Sequence, residues 1–140
     1  MVDLFFPTVS KKAIREVVKV LKSKWIGQGD KIEEFEKAFC EKIGQKYCVA
    51  VNSCTSALHL AYILAGINKG DEVISPVLTC TATHHPLKLL GAKIVFADIR
   101  KDDLCIDAED VSNKITPKTK AIVVVHLGGY KAKIDRKSVV

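Results

Sequence analysis

Apolar positions along the chain recur in two rhythms. In "SKKAIREVVKVLKSK", Ile14, Val17, Val18 and Leu21 fall at helical spacing beneath a lysine-rich face, which predicts a solvated surface helix. "WIGQGDKIEEFEKAFCEKIGQ" predicts a glycine-rich turn and a second helix capped by Asp30, with Ile32, Phe35, Ala38 and Phe39 turned inward. "YCVAV" (47–51) reads as a short buried strand. The stretch after it, "VNSCTSALHLAYILAG", predicts a helix burying Ala57, Leu58, Ala61, Leu64 and Ala65. "NKGDEVISP" turns into a strand that stops at Pro76, and "CTATHHPLKLLGA" gives a helix or helical turn closing near Gly91. "KIVFADI" is a strand, "DAEDVSNKI" a helix, and "KAIVVVHL" a β-branched buried strand. Continuous apolar strands separated by helices predict an α/β fold, a mostly parallel sheet flanked by helices. There is no internal repeat and no low-complexity segment. The last residues, "IDRKSVV", read as the start of a further element, so the sheet is expected to continue beyond them.

Length and composition narrow this picture. A chain of 140 residues suits one domain or a piece of a larger one, and 48% hydrophobic with 27% charged residues excludes disorder. No apolar run approaches the roughly 20 residues that cross a bilayer. The start, "MVDLFFPTVSKK", lacks a basic region followed by an apolar one, so the expected location is the cytoplasm. The five cysteines form no Cys-x-x-Cys pair, which argues against a zinc site or a disulfide framework and for reduced thiols. The net charge of +6 raises nucleic acid or a membrane surface as partners. The lysines, however, are dispersed and not interleaved with aromatic residues, so neither partner is expected.

Candidate chemistry concentrates where the strand ending at Val51 meets the next helix. Asn52, Ser53, Cys54, Thr55 and Ser56 are all small or polar. Two readings stand at this point. These residues cap the helix, or their backbone N–H groups hold an anion at its positive end. In open α/β sheets such ligands collect beyond the carboxyl ends of strands.

The ordered segments "KWIGQGDKIEEFEKAFCEKIG", "VNSCTSALHLA", "GDEVISPVLTCTAT", "LLGAKIVFADI" and "ITPKTKAIVVVHLGG" resemble the DegT/DnrJ/StrS-type sugar aminotransferases from about Phe6 to Arg136. These are pyridoxal-phosphate (PLP) enzymes of the aspartate-aminotransferase fold. The resemblance implies that residues 1–140 are the N-terminal part of the large PLP-binding domain, with the remainder and a small domain outside the chain. It implies PLP phosphate binding by the main chain of "SCTSAL", hence by Cys54, Thr55 and Ser56. It places Cys80 over the pyridine ring, where an aromatic residue is common and a thiol stacks less well. "WIGQG" matches a stretch near the substrate mouth and dimer contact, and His126 with Gly128 matches a strand end beside the active site. The bland alternatives there are a packed aromatic with turn glycines and a strand-end histidine.

The family's covalent lysine anchor, its pyridine-nitrogen aspartate and a further phosphate serine match no segment of this sequence. Lys118, Lys120, Lys131 and Lys133 do not lie in the anchoring motif. No catalytic residue is therefore assigned, and the expectation is weak or absent PLP binding and no turnover by this chain alone. Partners implied by the resemblance are a nucleotide-linked ketosugar, an amino donor such as glutamate, and a second copy in a homodimer. Relatives that are sugar dehydratases leave the reaction open.

Other classes compete. Cys80 and His84 are four apart, a spacing that on a helix would pair a thiol with an imidazole. A non-catalytic phosphate-binding or interaction module retaining half a sheet is another reading. His59, His84, His85 and His126 lack metal spacing with acidic partners, and His59 reads as an ordinary helix residue.

Overall fold

A computed structural model describes residues 6–133, and they divide into two compact units meeting between Ala50 and Val51. In the first unit, α1 spans Lys11–Ser23 and α2 spans Asp30–Ile43. Ser10 opens α1 by accepting the Ala13 N–H on its hydroxyl at 3.1 Å. Gly29, not Asp30, occupies the N-cap position of α2. Asp30 is the first helical residue and acts with Glu33 as negative charge at the positive end. Gly44 closes α2 at φ 67°, where a left-handed residue turns the chain back.

The inward faces expected here are not buried. Ile14, Val17, Val18 and Leu21 are exposed, as are Phe35 and Phe39, whose rings lean on each other at 5.9 Å. Within this unit α1 and α2 make little contact with each other, so neither covers the other's apolar stripe. "YCVAV" is extended but forms no ladder. The Ala50 N–H donates to Glu36 Oε1 at 2.7 Å instead of to a neighbouring strand, and Tyr47 and Val49 are exposed. High β propensity makes a strand only where pairing partners exist.

The second unit holds the sheet. Its elements are α3 (Cys54–Leu64), β1 (Glu72–Pro76), a 3₁₀ turn (Thr81–Thr83), α4 (His85–Leu89), β2 (Lys93–Ala97), α5 (Ala108–Lys114), β3 (Thr119–Ile122) and a 3₁₀ turn (Leu127–Gly129). The strands are parallel in the order β2-β1-β3, and all of β1 is buried. Val73 and Ile74 point to opposite faces. Val73 joins Tyr62, Ile67, Leu87 and Ala92 in one cluster, while Ile74 joins Ala97, Ile106 and Val111 in the other. The sheet is thus covered on both faces, as expected for parallel strands.

At the start of β1 the buried carboxylate of Glu72 accepts from Lys93 Nζ at 2.8 Å and Thr116 Oγ1 at 2.7 Å. These partners lie on β2 and just before β3, so one side chain clasps three strand beginnings and stays charged well below the usual carboxylate range.

A further expectation is corrected. The buried face of α3 carries Tyr62 with partly buried Leu58, while Ala57, Ala61, Leu64 and Ala65 are exposed. The stretch 80–92, expected as a helix or helical turn, is a 3₁₀ turn and then α4, separated at His84, and Pro86 sits in the first turn of α4, where its missing N–H costs nothing.

Candidate functional site

The residues at the head of α3 are arranged as a cap that leaves part of the helix tip open. Ser53, the N-cap, accepts the Ser56 N–H on its hydroxyl at 3.1 Å. The Ser56 hydroxyl donates to Asn52 Oδ1 at 2.9 Å and lies 3.0 Å from Ser53 Oγ. The Ala57 N–H closes the first turn onto the Ser53 carbonyl at 3.1 Å. The N–H groups of Cys54 and Thr55 have no acceptor among the described residues. Asn52, Ser53 and Cys54 are exposed. The cap thus uses one donor, and two others at the positive end of this eleven-residue helix have no acceptor among the described residues.

The second candidate loop follows the central strand. Beyond Pro76, residues 77–80 lead to Cys80, which is exposed and precedes the 3₁₀ turn. The strand order puts this loop at a topological switch point, because the chain leaves β1 for β2 on one side and reaches β3 on the other. Side chains tie the later part of α3 to this loop and the turn after it. The Tyr62 hydroxyl donates to the Thr83 carbonyl at 3.0 Å, and the Thr83 hydroxyl meets that of Thr79, next to Cys80, at 2.8 Å. Burial, helped by the nearby Cys54 thiol, pushes the Tyr62 phenol up, so it stays a donor. Composition signals neither Tyr62 nor the Thr79–Thr83 pair. The one hint is a hydroxyl-tipped aromatic in an otherwise aliphatic helix.

His84 does not pair with Cys80. Its Nε2 lies 2.9 Å from Ser75 Oγ, and its ring stands edge-on to Phe96 at 5.1 Å. Burial pushes the imidazole below its ordinary value, which favours the neutral ring. Bonding toward the sheet at Ser75 and packing on Phe96, this imidazole is committed to structure and activates no thiol.

His126 follows β3 and accepts the Ala132 N–H on Nδ1 at 3.1 Å, which leaves the proton on Nε2. Gly128 sits at φ 59° within the turn after it. In the first unit, the Trp25 indole N–H donates to the Gln28 carbonyl at 2.7 Å. A Cβ on Gly29 would fall 2.6 Å from the Trp25 Nε1, so the absence of a side chain at 29 lets the indole lie there. Among the described residues no group of three or more His, Cys, Asp or Glu side chains is placed to hold a metal.

A three-stranded parallel sheet covered by helices on both faces defines an α/β protein. The chain belongs to the DegT/DnrJ/EryC1/StrS aminotransferase family, which it matches over residues 7–138. It is 45% identical over 129 residues to the spore coat polysaccharide biosynthesis protein SpsC of Bacillus subtilis, covering 92% of this chain and 33% of that one. Among solved structures it resembles Spr1654 of Streptococcus pneumoniae, a proposed sugar aminotransferase solved in PLP, PMP and apo forms. There the TM-score is 0.84 at 35% identity, covering 91% of this chain and 32% of that one. It also resembles the Escherichia coli GDP-4-keto-6-deoxy-D-mannose-3-dehydratase with bound hydrated PLP, with a TM-score of 0.81 at 33% identity, covering 89% and 33%. The chain spans about a third of the length of these relatives.

Proposed function

We propose that this chain supplies the phosphate-binding part of a PLP site in a protein of nucleotide-sugar metabolism. The observation that carries the reading is the open tip of α3, where the Cys54 and Thr55 N–H groups have no acceptor among the described residues. The donor set fits a phosphate: two outward amides, a helix dipole, exposed small side chains, and the Thr55 hydroxyl beside them. Ser56 joins by exchanging its Ser53 partner for the anion. Cys80, across the Tyr62–Thr83–Thr79 linkage, covers one face of the ring with a small thiol.

The cofactor, when bound, supplies the electron sink for amine transfer. The chain's own residues anchor and orient its phosphate. None of the four proposed residues moves a proton. Two charge-assisted bonds contribute about 3–6 kcal/mol in total. Association costs roughly 4–15 kcal/mol, so the residues present here hold PLP weakly. The reaction of the whole protein is amination of a nucleotide-linked ketosugar with a donor such as glutamate, acting as a homodimer in the cytoplasm. The likeness to the dehydratase favours sugar deoxygenation as the second reading.

Equilibrium dialysis with PLP, followed by absorbance and competed with inorganic phosphate, tests the site. Cys54→Pro deletes one amide at a helix position where proline is tolerated. The expected result is weakened PLP retention with unchanged far-UV circular dichroism. Equal retention by the variant, or retention indifferent to phosphate, overturns the assignment.

A further inference from the structure

Two of the five cysteines line one hollow at the end of α2. Gly44 reverses the chain, the Gln45 N–H returns to the Cys40 carbonyl at 3.0 Å, and the Ala50 N–H reaches Glu36 Oε1 at 2.7 Å. Residues 45–50 therefore run back along the last turns of α2, and Cys48 lies between those two anchors. Cys40 and Cys48 line the same shallow hollow and are both partly buried. The Cys48 thiol is near enough that, after burial, it helps push the Cys40 thiol above its ordinary range.

We propose that Cys40 and Cys48 form a reversible intramolecular disulfide, a redox modification site in the first unit. The oxidant is a low-molecular-weight disulfide. The Cys48 thiolate attacks one sulfur of it, forms a mixed disulfide and releases one small thiolate. The Cys40 thiolate then attacks the Cys48 sulfur, the mixed S–S bond breaks, and the second small thiolate leaves. The two protons from the cysteines go to the two released thiolates, so the protein loses two hydrogens and the small disulfide becomes two thiols. The order follows from surroundings: burial, then the Cys48 thiol and the carboxylates of Glu36 and Glu41, keeps the proton on Cys40, making it the poorer first attacker. Backbone bonds already in place hold residues 45–50 beside the helix, so closure fixes a conformation the chain has adopted. Cys54 and Cys80 are exposed, and Cys105 is buried beside the Tyr130 carbonyl at 3.6 Å; none of them takes part.

The test treats the full chain with glutathione disulfide, traps free thiols with iodoacetamide and maps tryptic peptides by mass. The expected product joins peptide 38–42 to peptide 47–69, with two alkylatable thiols lost and regained on adding dithiothreitol. The linked pair persists in Cys54→Ser and disappears in Cys48→Ser, which distinguishes Cys48 from Cys54 within the longer peptide. Stable glutathione adducts on both Cys40 and Cys48, a link that moves to Cys54, or a link only between two chains would each overturn the proposal.

Discussion

Trp25 and Gly29 show how one side chain depends on the absence of another. An added Cβ at residue 29 collides with the indole, so Gly29→Ala must swing the ring away from the Gln28 carbonyl. The loss is one hydrogen bond, about 1 kcal/mol. Trp25 is the single tryptophan, and its emission should become more sensitive to acrylamide in the variant. At His84 the consequence is acid sensitivity. The folded chain binds a proton there less readily than the unfolded chain, whose value is near 6.5. Unfolding therefore takes up a proton below that pH, and stability falls as acid is added from about 6.5 downward. His84→Gln should flatten that part of a urea-derived stability profile. An unchanged slope would show that other groups govern it. This role is not legible in the sequence, because the spacing of Cys80 and His84 fits a thiol pair as well as it fits a strand-facing imidazole. The Ser75 hydroxyl and Phe96 ring decide between the two.

Among elements, α3 shows what patterning can and cannot reveal. Its existence and its start are legible, since Ser53 followed by Ser56 before an apolar run is a capping sequence. Its inward face is not. The helix is apolar nearly all round, so the pattern selects no side, and packing against α4 and the 3₁₀ turn chooses Leu58 and Tyr62. "YCVAV" fails for a different reason: strand composition is local, but a ladder needs a second backbone at hydrogen-bonding distance. The strands β1, β2 and β3 are legible because their runs are apolar and bounded by turns, although two of them end earlier than the runs do. Ser53→Ala tests the cap. It should cost about 1 kcal/mol in urea unfolding, and it releases the Ser56 N–H to join those of Cys54 and Thr55. A variant as stable as the parent would mean that the neighbouring Asn52 takes over the cap.

For the molecule as a whole, the two units differ in what protects them. No described residue of the first unit is buried, while the second contains both apolar clusters and a fully buried central strand. Hydrogen exchange resolved by residue should therefore show amides of α1 and α2 opening at much lower free energy than those of Val73 and Ile74. Equal protection in the two units would contradict this division. The strand order carries one more consequence, for the time course of synthesis. Leaving the ribosome first, β1 meets one neighbour about twenty residues later and the other nearly fifty residues later. Until Ile122 emerges, the nascent chain holds the strand destined for deepest burial with one flank open, and this interval is when a holding chaperone has most to protect.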